Sequence, residues 1–180
     1  MSEVQQETKT APAAPALSAE DLKAADAVVQ ADSTSPGSKV AKIAAGQVGY
    51  REKGTNNTKY GSWYGMQGQP WCDIFVSWVF NEAGHLKAVG GKHASAPGHA
   101  DWFRAHGRFF HRGASGGGPR VGCAVFFDMN GNGGIDHVGI VTSYTDTHVY
   151  TVEGNRSDSV SRGKYERTSH LIKGYGHPTW

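Results

Sequence analysis

The chain has 180 residues, 38% of them hydrophobic, with 18 Lys and Arg against 16 Asp and Glu and a formal net charge of +2. That length fits one domain plus a tail and is enough to bury a real core. No apolar run is long enough to span a bilayer, and no basic start followed by an apolar core marks a secretory signal. Two cysteines at unlike positions do not make a disulfide framework. The small net charge hides an asymmetry: residues 1–38 hold two lysines against six acids, and residues 39–180 hold sixteen Lys and Arg against ten. A basic body suits an anionic polymer through salt-sensitive attraction. Its cations are scattered and no nucleic-acid-binding motif is present, so nucleic acid is not the expected partner.

Residues 1–37 read as an acidic, flexible leader rich in Ala, Pro, Ser, Thr and Glu. Within it, Ser18 precedes Ala19-Glu20-Asp21, and Leu22, Ala25 and Val29 share a face. That pattern spells a short capped helix able to dock a partner chain. Isolated short helices are marginal, so transient helicity is the leading expectation. From Ser38, a possible cap, Val40, Ile43, Ala44 and Val48 recur at helical spacing up to Gly49. The stretch from Tyr50 to Gln69 reads as a loop carrying Tyr60, Trp63, Tyr64 and Met66. Aromatic faces stack on sugar rings and peptide bonds, which makes Trp63, Tyr64 and Trp71 candidate substrate contacts; sealing the core is the competing role for each.

Pro70 then opens a helix in which Phe75, Trp78 and Val79 mark a buried face and Cys72 lies in the first turn. Unpaired N–H groups and the positive end of the helix dipole favour a thiolate there. A small core cysteine is the alternative. A helix ending near Gly84, a glycine-rich loop and a short helix from about His99 to Ala105 follow. Strands are expected at 108–112, 121–127, 137–144, 148–153, 160–167 and 172–175. The fold class is therefore α+β, with N-terminal helices packed on a mostly antiparallel sheet of about six strands.

Alternation puts His137, Gly139 and Val141 on one side of their strand, and Thr151, Glu153 and Asn155 on one side of the next if it stays regular. If these strands pair antiparallel, Glu153 lies beside His137, and Gly139 leaves room for it. Cysteine, histidine and acid in that order supply a nucleophile, a base and its orienter. Asp128, Asn130, Asn132 and Gly133 match the first half of a calcium loop, but Gly139 stands where the twelfth-position acid belongs. A glycine/asparagine hairpin turn is the expected reading and calcium the alternative. The spacing of His85, His93, His99, His106 and His111 matches no zinc signature.

From about Lys39 onward the chain resembles a CHAP domain, in the NlpC/P60-like branch of the papain-like cysteine peptidases. The resemblance rests on Pro70 to Trp78, on Val125-Phe126-Phe127-Asp128, on Asp136 to Val141 and on Glu153-Gly154-Asn155; the stretches Asn56 to Gly61 and Trp63-Tyr64-Gly65 are similar to actinobacterial and phage members. Where the family often has Gly-Asp before the central strand, this chain has Gly122-Cys123. The resemblance implies a peptidoglycan amidase or endopeptidase of the endolysin kind, needing no cofactor. Cys72 would be its nucleophile, His137 its base, Glu153 the orienter and Asn155 a polar active-site residue. A protein-directed cysteine hydrolase or deamidase and a catalytically silent wall-binding module are the alternatives. Lacking a secretory signal, such an enzyme is expected to stay cytoplasmic until lysis or to be carried by a delivery particle.

Overall fold

The computed structural model describes residues 16–31 and 34–180. Its α-helices are α1 (Ala19–Ala31), α2 (Pro36–Ala45), α3 (Lys59–Tyr64), α4 (Cys72–Glu82) and α5 (Ala96–Ala105), with a 3₁₀ turn at Leu86–Val89. The strands are β1 (Phe109–His111), β2 (Ala124–Phe127), β3 (His137–Tyr144), β4 (His148–Arg156), β5 (Ser159–Glu166) and β6 (Ile172–Gly176). They form one antiparallel sheet in the order β1-β6-β2-β3-β4-β5. The expected α+β architecture is the one observed.

The sheet is buried on both faces. Val138, Ile140, Val152 and Phe126 meet the apolar residues of α4, while Val125, Phe127, Val141, Val149, Tyr165 and Tyr175 form a second cluster. The central strands β2 and β3 are therefore buried along nearly their whole length rather than on alternate residues. The start of α2 follows cap chemistry. Ser35, not Ser38, caps α2: its hydroxyl accepts the Ser38 N–H at 3.1 Å, and Pro36 opens the helix where no N–H is needed. Gly122 packs so closely on Gly37 that a Cβ there would lie 2.5 Å from the Gly37 Cα, which ties the start of α2 to the turn before β2.

Two segments depart from expectation. The loop read between Tyr50 and Gln69 contains α3, capped by the Thr58 hydroxyl, which accepts the Gly61 N–H at 2.9 Å. Part of the leader is helical: Ser18 and Asp21 cap each other reciprocally at the start of α1. Ala25 is buried, and Asp21–Lys164 (2.8 Å) and Asp26–Arg162 (3.1 Å) ion pairs join α1 to β5. Residues 1–15 of the leader, and Val29 on its helix face, lie outside what is described. No helix among the described residues is long and apolar enough to cross a membrane.

Candidate active site

Helix α4 begins at Cys72, two residues later than a start at Pro70 would give. Ile74, Phe75, Val76, Val79 and Phe80 are fully buried, so the helix is held by its body while its first turn carries the cysteine. Cys72 is 3% exposed, and neither it nor Cys123 is in a disulfide. Burial pushes the Cys123 thiol up to about 12, which leaves Cys72 as the candidate nucleophile.

Trp71 was a candidate substrate contact, and the structure corrects this. The ring is 1% exposed, stacks on Tyr60 at 5.7 Å, and donates its indole N–H to Glu52 Oε2 at 3.0 Å. A large ring with one polar handle satisfies that handle inside and so braces the approach to α4 from within. Trp63 and Tyr64 stay half-buried at the surface, with the Lys92 ammonium 4.4 Å and 5.4 Å from their ring centroids.

The basic partner is built at the end of the sheet where β3 starts and β4 finishes. Ile140 pairs with Val152 and Val141 with Thr151, which sets Gly139 opposite Glu153. A Cβ on Gly139 would lie 2.6 Å from Glu153 Cγ, so only glycine lets the glutamate cross to the histidine. His137 Nε2 and Glu153 Oε1 are 2.9 Å apart, with His137 5% exposed and Glu153 fully buried. The helix and this pair meet at one end of the sheet, because a Cβ on Gly154 would lie 2.6 Å from Phe75 Cβ and 3.0 Å from the Trp71 ring.

Glu153 Oε2 accepts from Thr151 Oγ1 (2.5 Å), the Tyr165 hydroxyl (2.8 Å) and Arg156 Nη1 (3.3 Å). Arg156 also donates to the Tyr165 oxygen. Burial opposes ionisation of Glu153, but the His137 hydrogen bond, the Arg156 charge and the Thr151 hydroxyl overcome it and hold the carboxyl at about 2. An ionised Glu153 can only accept, so His137 Nε2 carries a proton. In the neutral ring Nδ1 then holds the lone pair.

A regular β4 would have put Asn155 beside Glu153. Instead the register shifts between Glu153 and Arg156, and Asn155 adopts φ +58°, a left-handed conformation that asparagine tolerates. The bulge brings Arg156 onto the glutamate in its place, and Asn155 is not among the hydrogen-bond partners of Glu153. Arg156 and Tyr165 went unnoticed in the sequence, and Thr151 was placed on the face of Glu153 without a role. Only Thr151 carried a signal, two residues before Glu153 on the same face.

The asparagine-rich loop after β2 closes on itself. Asp128 accepts the N–H groups of Gly131, Asn132 and Gly133, and Asp136 those of Met129 and Asn130. Asp128, Asn130 and Asn132 were the candidate calcium set, and here their side-chain oxygens serve as turn acceptors. Among the described residues no three His, Cys, Asp or Glu side chains converge on a common ion site.

The helix that starts at Cys72 and the acid-oriented His137 thus lie toward the same end of a six-stranded antiparallel sheet. The chain belongs to the CHAP domain family, whose model matches residues 63–155, and this family falls within the papain-like cysteine peptidase superfamily. CHAP domains are generally hydrolases, with peptidoglycan amidase or peptidase activity. No curated protein matches the chain. Among solved structures, that of Ly7917 is 17% identical with a TM-score of 0.49, over 79% of this chain and 62% of that one. A second, of Ly7917 with the hydrolyzing product of MDP, is 16% identical with the same TM-score and coverage. The chain thus spans less than two thirds of Ly7917.

Proposed function

We propose that this protein hydrolyses an amide bond of bacterial peptidoglycan by a Cys72–His137–Glu153 mechanism. The observation that carries this reading is the His137–Glu153 pair, buried and fully oriented, at the sheet end where the Cys72 helix begins. His137 Nδ1 takes the thiol proton, and the thiolate attacks the amide carbonyl carbon. The oxyanion faces the first-turn N–H groups of α4. As the C–N bond breaks, the imidazolium returns its proton to the leaving amine, and a thioester remains on Cys72. Water, deprotonated by the same Nδ1, then releases a carboxylic acid and regenerates the thiol.

Trp63 and Tyr64, half-exposed rings on helix α3, are suited to sugar and peptide faces. The excess of Lys and Arg after residue 38 draws the domain to an anionic wall. Digestion of purified sacculi, with mass spectrometry of the fragments, tests the reading and names the bond. New lactyl-muramic ends identify an amidase and new peptide amino termini an endopeptidase. Tight binding to sacculi with no release would overturn it.

A further inference from the structure

A second buried acid–histidine pair lies beneath the nucleophile helix, and the mechanism above does not use it. Asp73 follows Cys72 directly in the first turn of α4, and His99 lies on α5, which begins in a different loop. His99 Nδ1 is 2.7 Å from Asp73 Oδ1 and Nε2 is 2.8 Å from the Val89 carbonyl, with both side chains fully buried. A carbonyl oxygen can only accept, so Nε2 carries a proton. One further proton lies on the Nδ1–Oδ1 line, whichever atom holds it. The pair is therefore neutral as a unit: imidazolium with carboxylate, or imidazole with carboxylic acid.

Its surroundings hold it rigid. The His93 ring stacks on His99 at 4.0 Å and 7°, and Phe103 stacks on it at 5.1 Å. One turn further along α4, the Ser77 hydroxyl donates to the His93 carbonyl and accepts the His93 N–H, both at 2.9 Å. Burial, and then the charge of His99, pushes His93 down to about 4, so it stacks as a neutral ring. Among the described residues Asp73 Oδ2 has no hydrogen-bond partner, and burial raises the Asp73 pKa despite His99. A lone buried carboxylate next to the nucleophile would oppose a thiolate; a neutral pair does not.

We propose that Asp73 and His99 form a charge-neutral clasp that fixes the first turn of α4, making Asp73 a positioning residue for the Cys72 thiol. The inference rests on the reading of Cys72 as nucleophile. It predicts an unusual tolerance. In Asp73→Asn the amide can donate to His99 Nδ1 while Nε2–H still bonds Val89, so the clasp survives without its charge.

The test compares Asp73→Asn, Asp73→Ala and His99→Ala in the full chain by the rate of Cys72 alkylation with iodoacetamide, with kcat and KM on a soluble muropeptide beside it. Asp73→Asn should stay within about threefold of wild type in both assays. Asp73→Ala and His99→Ala should lose about tenfold or more in alkylation and kcat at nearly constant KM, since small misplacements of a reacting group are costly. If the alanine variants do not fold, the double variant Asp73→Leu with His99→Phe fills the same space without the clasp and is expected to show the same loss. Wild-type alkylation in a folded clasp-less variant would overturn the proposal, as would Asp73→Asn falling as far as Asp73→Ala. Alkylation needs no wall substrate. A wild type that cleaves nothing, yet shows this pattern of rates, would sink the peptidoglycan reading and leave the clasp standing.

Discussion

Glu153–His137 and Asp73–His99 are made of the same parts, yet they are built for opposite ends. Glu153 Oε2 takes three donors and its carboxyl is held near 2, whereas Asp73 Oδ2 takes none among the described residues and burial raises its pKa. His137 is slightly exposed, and under the proposed mechanism its Nδ1 would carry the proton, whereas both nitrogens of His99 are committed and the ring is sealed. The donors on the second carboxylate oxygen decide which acid stays ionised, and the nitrogen left uncommitted decides which histidine can do chemistry.

The widest separation between the pairs should come from exchanging each acid for its amide. Glu153→Gln keeps the shape but removes the charge that orients and supports the imidazolium, so kcat should fall roughly 10²- to 10⁴-fold. Asp73→Asn should change it about threefold at most, and steady-state hydrolysis of one muropeptide by both variants makes the comparison. The acid limb of stability gives a second contrast. Glu153 has a folded pKa of about 2, below its ordinary 4.5, so its stabilisation is complete above that ordinary value and is lost as pH falls toward 2. Thermal melts across that window should fall more steeply for wild type than for Glu153→Gln.

Gly139→Ala attacks the same pair through the backbone. The added methyl drives against Glu153 Cγ, so a loss of about 1–3 kcal/mol by denaturant titration is expected. About tenfold or more of activity should go with it. A smaller effect is expected from Tyr165→Phe, which removes one of three donors on Oε2 and should cost about 0.5–1.5 kcal/mol while leaving KM unchanged. The mildest effect is at the surface: Trp63→Ala should raise KM a few-fold at constant stability.

The first pair was legible before the second because strand alternation announces it. His137 at the head of an apolar strand and Glu153 at the tail of the next need only antiparallel pairing to meet, and Gly139 marks the gap between them. Asn155 was misplaced beside Glu153 because a bulge cancels alternation, and the same bulge recruited Arg156. The clasp was invisible because 26 residues separate Asp73 from His99 and only packing of α5 under α4 joins them. Helix α3 hid in an asparagine- and glycine-rich stretch, where six residues are too few for periodicity to show; Thr58 was its one signal. Trp71 looked like groove furniture because burial of an aromatic ring is decided by its neighbours rather than by its type.

Side-by-side digestion of purified sacculi by wild type and Cys72→Ala, with melts to show that both are folded, tests the central claim most directly. Wild type should release soluble fragments with new carboxyl and amino or muramic ends, and Cys72→Ala should release none above background. Equal release by the two proteins would contradict a cysteine mechanism at Cys72.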